Sequence, residues 1–125
     1  MILDTNGVSA MADGNPRLEK LLEAATELAI PVIVLGEYQY GIVQSRYRRR
    51  YQEWLMGLVA NCRVLAVEET TAAHYASIRG ELRRAGRPIP SNDAWIAALA
   101  RQYAMPIISR DEHFDVVPKL KRLSW

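Results

Sequence analysis

Cysteine is almost absent from these 125 residues: Cys62 stands alone. One thiol cannot close an internal disulfide, so nothing argues for a secreted, disulfide-held scaffold. No apolar stretch approaches the ~20 residues that a membrane-spanning helix needs. No basic segment followed by an apolar run opens the chain as a signal peptide would. Internal repeats, low-complexity tracts and linkers are lacking too. The expectation is one soluble, cytoplasmic domain over residues 1–125 with no membrane partner. Charge excess is also missing, since 16 Lys and Arg against 14 Asp and Glu leave a net +2. A sum so near zero says little about partners.

Half of the residues are hydrophobic and 24% are charged, ordinary globular material with enough apolar surface for a real core. The basic residues are spread unevenly. They cluster at Arg46, Arg48, Arg49 and Arg50, at Arg79, Arg83, Arg84 and Arg87, and at Lys119, Lys121 and Arg122. Solvated helix faces account for any one cluster. If several acids gather in one site, however, the remaining surface is basic enough to meet a phosphate backbone.

Apolar periodicity predicts strands alternating with helices. Ile2 and Leu3 open a short strand, apolar on both faces, of the kind buried inside a parallel sheet. A helix over 5–12 follows, with Thr5 or Asn6 as its cap. Asn15 and Pro16 start a second helix with the stripe Leu18, Leu21, Leu22, Ala25 and Leu28. Residues 31–34 have strand length, and a third helix opens at 35. Tyr47, Tyr51 and Trp54 fall at helical spacing on a fourth. Residues 63–67 read as a strand, and a fifth helix runs from Thr70 to a stop at Gly86. Ser91 caps a sixth, whose Ala94, Ala97, Ala98 and Ala100 allow close approach to a sheet. Residues 105–108 form the last core strand, 112–115 a loop, and 120–123 an edge strand. This alternation predicts a three-layer α/β/α domain around a central, mainly parallel sheet of four to five strands.

In such a sheet the strand C-termini share one edge with the starts of the following helices, and binding crevices form there. Asp4 and Asp111 each follow a strand. Glu37 and Asp93 each fall in the predicted first turn of a helix. All four acids therefore belong to one rim. Glu37 lies on an apolar helix face, which is costly unless it is paired or binds a cation. The helix dipole supplies the plainer explanation, worth ~0.3–1 kcal/mol. Two carboxylates ~4 Å apart repel by about 4 kcal/mol at an effective dielectric of ~20. Either some stay protonated or a hard cation neutralises them. An all-oxygen ligand set suits Mg²⁺ or Mn²⁺, ions that serve phosphodiester hydrolysis. Thr5, Asn6, Asn92 and Ser109 flank the acids and are placed to orient them, although capping and turn chemistry explains each one singly.

The run LDTN at 3–6, the pair Gly36-Glu37, PIPSNDAWIAA at 88–98 and SRDEHF at 109–114 resemble the PIN domain. They are similar in particular to VapC-type toxins of bacterial toxin–antitoxin pairs, and the resemblance covers essentially the whole chain. It implies a Mg²⁺- or Mn²⁺-dependent endoribonuclease with Asp4, Glu37, Asp93 and Asp111 holding the metal. Asp115 matches an extra acid of some members, and Ser109 stands where the family commonly has Thr. It also implies in-line attack of a metal-activated water on structured RNA, such as tRNA or ribosomal RNA loops, leaving a 5′-phosphate and a 3′-hydroxyl. The partners it implies are a second copy, as a homodimer, and a small antitoxin whose C-terminal segment pushes a basic residue into the acidic site.

Three other readings compete. A metal-independent ribonuclease would need His74 and His113 together, which nothing in the sequence arranges. A phospho-acceptor signalling domain needs adjacent acids after the first strand, where this chain has only Asp4. The third is a non-catalytic PIN-fold module that binds nucleic acid or protein.

Overall fold

Five strands line up as β3-β2-β1-β4-β5, and every neighbouring pair is parallel. The computed structural model describes all residues from 1 to 125. Its strands are β1 (Ile2–Leu3), β2 (Ala29–Pro31), β3 (Arg63–Leu65), β4 (Ile107–Ile108) and β5 (Arg122–Leu123). The helices are α1 (Thr5–Ala12), α2 (Pro16–Leu22), α3 (Val32–Val43), α4 (Arg48–Ala60), α5 (Glu69–Arg84) and α6 (Ser91–Tyr103). No helix is long and apolar enough to cross a membrane.

The chain moves from β1 through β2 to β3 in one direction and returns to β4 on the far side of β1. Right-handed crossovers then put α1–α4 and α5–α6 on opposite faces, which gives the three-layer α/β/α arrangement. β1 lies in the middle, with Ile2 opposite both Ala29 and Ile107. Ile2, Leu3, Ile107 and Ile108 are wholly buried, as their unbroken apolar runs require in a doubly covered parallel sheet. The strand order reverses between β1 and β4. In open α/β sheets that switch point is where a crevice opens.

Several predicted boundaries move. The second strand is Ala29–Pro31, not 31–34, and Val32-Ile33-Val34 form the first turn of α3. A short apolar run does not distinguish strand from buried helix. Pro31, at φ −60°, closes the strand and serves as N-cap. Glu37 therefore lies in the second turn of α3 rather than the first, and the dipole explanation for it weakens. The second helix stops at Leu22, so Leu28 leaves its predicted stripe. Instead its carbonyl accepts from Arg63 N at 2.9 Å and leads into β2.

The predicted caps divide. Asn15 does cap α2, its Oδ1 accepting from Arg17 N at 3.0 Å and Leu18 N at 3.3 Å. Neither Thr5 nor Asn6 caps α1, because the helix already begins at Thr5 and Asp4 holds the N-cap position. Ser91 is likewise inside α6, with Pro90 at its N-cap. Gly86, at φ +67°, ends α5 as its position predicted. The expected loop at 112–115 is a 3₁₀ turn, Glu112–Val116, pinned by the fully buried Phe114.

Close packing brings the rim together. Gly7 of α1 passes so near the sheet that a Cβ there would lie 3.3 Å from the Ile108 carbonyl oxygen. On the other face α6 buries Ala94, Ile96, Ala97, Ala98, Leu99 and Ala100, and its alanines let the helix lie close against its neighbours.

Candidate functional site

Asp4 leaves β1 at the switch point, and its backbone N–H donates to Ile108 O at 3.2 Å. Only 5% of the residue is exposed. A buried carboxylate is costly without donors, and Ser109, immediately after β4, supplies one. Its wholly buried hydroxyl donates to Asp4 Oδ2 at 2.8 Å. Ser109 Oγ itself accepts from Asp111 N at 2.9 Å and from Asn6 Nδ2 at 3.1 Å. Asn6 Oδ1 in turn accepts from Arg110 N at 3.1 Å. Ser109 and Asn6 thus clip the start of α1 to the loop after β4, setting Asp4 and Asp111 in fixed relation.

Asp93 stands in the first turn of α6 and reaches the same place. Asp93, Asp111 and His113 each offer a ligand atom within 4.8 Å of the others. His113 Nδ1 lies 2.9 Å from Asp93 Oδ2 and 3.1 Å from Asp111 Oδ1. Asp111 also accepts from His113 N at 2.9 Å, which closes the 3₁₀ turn beneath it. Glu37 completes the group from α3, near enough to feel the charges of Asp4 and Asp93. The four predicted acids therefore meet on one rim.

No lysine or arginine pairs with any of them. The electrostatics follow. Burial raises the Asp4 carboxyl above the usual range; the Ser109 bond opposes this, and Asp93 and Asp111 add to it. Burial likewise raises Glu37 first, then the charges of Asp4 and Asp93. Asp93 is raised by burial and Asp111, against the pull of His113. The imidazole moves upward as well, chiefly through its bond to Asp93. One histidine thus does part of a cation's work for two of the acids. The Glu37 Oε1 and Thr5 Oγ1 atoms are buried and complete no hydrogen bond, although the nearby Thr5 hydroxyl still eases the charge on Glu37.

Other predicted residues fall elsewhere. Asn92 is exposed and bonds to none of the acids. Asp115 is gripped by Arg122, with its two oxygens 2.7 and 2.8 Å from the guanidinium, so its charge is already answered. His74 sits on α5 and joins neither the cluster nor an ion pair. The sequence reading missed His113 as a companion of the acids. Its place two residues after Asp111 was the available signal, but the approach of Asp93 was not visible.

The donor set fits a hard divalent ion: crowded carboxylate oxygens, no paired lysine or arginine, and an orphaned buried oxygen on Glu37. The His113 nitrogen is a softer donor, already engaged by Asp93 and Asp111, so the fit to Mg²⁺ or Mn²⁺ rests on the carboxylate oxygens.

The chain belongs to the PIN-domain family, whose model matches residues 1–120. Within that family it is 31% identical to ribonuclease VapC5 of Mycobacterium tuberculosis over 115 residues, covering 90% of this chain and 84% of the relative. It is 31% identical over 100 residues to the tRNA(fMet)-specific endonuclease VapC of Shigella flexneri, covering 79% and 76%. Among solved structures it superposes on VapBC2 from Rickettsia felis, bound to a promoter DNA fragment. That match has a TM-score of 0.90 and 26% identity, covering 99% of this chain and 97% of the other.

Proposed function

We propose that this chain is a Mg²⁺- or Mn²⁺-dependent endoribonuclease toxin of the VapC kind, held inactive by a small antitoxin protein. One observation carries the reading: the rim of Asp4, Glu37, Asp93 and Asp111 pairs with no lysine or arginine, only with His113 at two of the acids, and leaves a Glu37 oxygen unbonded. Such a cluster is tolerable only if protons or a cation answer the charge. The names of the relatives support ribonuclease activity, and the VapBC neighbours support an antitoxin partner.

Asp4, Glu37, Asp93 and Asp111 would hold the metal, with His113 beside Asp93 and Asp111. When bound, the ion supplies neutralising charge and lowers the pKa of a coordinated water, as in other phosphodiester hydrolases. The chain's own residues do the positioning. Ser109 and Asn6 fix the direction of the Asp4 carboxylate, and the 3₁₀ turn fixes Asp111. The substrate is structured RNA, tRNA or ribosomal RNA, and the protein works as a cytoplasmic homodimer. An antitoxin basic residue entering the rim inhibits by standing where the ion or the phosphate would.

Purified protein incubated with total RNA should cut in Mg²⁺ or Mn²⁺ and stop on addition of EDTA. The variant Asp4→Asn should be inactive while folded, and its expression should not arrest growth. Growth arrest by Asp4→Asn would instead identify a non-catalytic PIN module. Cutting that survives EDTA would point to histidine chemistry.

A further inference from the structure

Beside the acid rim a cavity of about 270 Å³ opens between α1, α3 and the start of α4. Thr5 and Glu37 belong to both the rim and the cavity wall. The cavity combines an apolar floor at Ala12 and Ile42 with the two rings Tyr38 and Tyr51, the hydroxyls of Ser9 and Ser45, and the carboxylate of Asp13. No lysine or arginine lines it, although arginines crowd the adjoining 46–50 segment. A hole of this kind repels phosphate. It suits a flat, neutral, hydrogen-bonding group.

From this geometry, and resting on the ribonuclease reading above, we infer that the cavity is a nucleobase subsite. It receives one unstacked base of single-stranded RNA, guanine above the others, next to the phosphate held at the rim. Single-stranded RNA is read by splaying bases onto aromatic side chains and bonding their Watson–Crick edges. Continuity through Thr5 and Glu37 lets a nucleoside attached to that phosphate enter without crossing a gap. The edge chemistry then selects. Asp13 offers two acceptor oxygens side by side, which match the adjacent imino and amino N–H groups of guanine. Uracil presents a single N–H between two carbonyl oxygens, which a carboxylate repels. The serine hydroxyls can donate or accept and so adapt to the remaining edge. Gly41 keeps one wall low: a Cβ there would meet no atom within 4 Å.

The test uses the full chain with Mn²⁺ and short unpaired RNA oligonucleotides that differ only in the base beside the cut. Wild type should cleave the guanine substrate at least tenfold faster in kcat/KM than the uracil one. Asp13→Asn replaces one of the two acceptor oxygens with an NH2 donor and should bring that ratio towards one. Gly41→Leu adds a helix-compatible side chain to the cavity and should raise KM tenfold or more while the Mn²⁺-induced rise in Tm persists. Guanosine and uridine monophosphates, titrated separately by NMR, read binding without cleavage. The guanosine compound alone should shift the amides of Ser9, Tyr38 and Ser45.

RNA cutting with no base preference, unchanged by Asp13→Asn, overturns the subsite and leaves the nuclease standing. Guanosine monophosphate binding in the cavity of a protein that cuts no RNA upholds the subsite and removes the nuclease. If Asp13→Asn and Gly41→Leu weaken antitoxin binding alone, the cavity is a peptide site and the inference fails.

Discussion

Acidic side chains meet two different fates in this molecule. Where α5 packs on α6, Glu81 receives both terminal nitrogens of Arg101, at 3.2 and 3.0 Å, and Arg101 also donates to Pro118 O at 2.7 Å. Nearby, Glu68 accepts from Gln102 Nε2 at 2.9 Å, and Thr71 donates to Gln102 Oε1 at 2.6 Å. The carboxylates there have their partners, although the buried Arg101 Nε makes no bond. At the C-terminal edge of β1 and β4, by contrast, four carboxylates gather with a few neutral donors and one histidine, which bonds to Asp93 and Asp111 alone. The first region holds helices together. The second stores unanswered negative charge, which folding alone would not favour. The titration directions separate them: Arg101 pulls Glu81 below the usual range, whereas burial pushes Asp4, Glu37 and Asp93 above it.

Substitution at the rim should break that contrast most strongly. Asp93→Asn is expected to slow RNA cleavage about a hundredfold or more, the equivalent of at least ~2.7 kcal/mol of lost charge stabilisation. Its metal-free Tm should hold or rise, because like-charge repulsion is relieved. A large fall in Tm would make Asp93 structural, like Glu81. Ser109→Ala comes next. It removes the closest donor to the buried Asp4 carboxylate, at about 1–3 kcal/mol of stability, and should weaken Mn²⁺ binding about 10–100-fold in a calorimetric titration. Ser109→Thr keeps the hydroxyl and should retain most of that affinity.

Divalent ion at about a hundred times its Kd should stabilise the wild type by ~2.7 kcal/mol, visible as a higher Tm that EDTA reverses. Arg101→Ala should cost about 1–3 kcal/mol by calorimetry or urea unfolding, and the same with or without the ion. A metal-dependent penalty there would mean that the two regions are coupled.

The smallest effect is on pH. The lowered Glu81 contributes stability that is present above its ordinary value and is lost as pH falls through its folded value. Glu81→Gln should therefore flatten the acid limb of Tm against pH. The raised rim acids act in the opposite sense: without metal, stability falls as pH climbs from their ordinary values through their raised ones. Asp4→Asn should flatten that part of the curve.

The strands and helices were largely readable because their signals are local. Asn15-Pro16 starts a helix and Gly86 ends one whatever lies around them. Residues 28–34 resisted reading for a related reason. An apolar run fits either element, and only pairing of Ala29 with Met1 and Arg63 decides that it begins as a strand. The site divides in the same manner. Acids after strands and at helix starts could be assigned to one edge from topology alone. The bonds that orient them join Asp4 to Ser109 across 105 positions and Asp93 to His113 across 20, and no local pattern encodes such meetings. Asp115 shows the converse, an acid of plausible spacing whose charge Arg122 has already taken.

By itself, the order of apolar runs, caps and acids determined a parallel α/β domain with Asp4, Glu37, Asp93 and Asp111 along one rim. Strand periodicity and right-handed crossovers leave few other ways to bury those runs. Only the tertiary structure decided which acids stay without a cation, that Ser109 and His113 hold them, and that a cavity opens beside Glu37. Those facts depend on distances between segments far apart in the chain, which close packing alone sets.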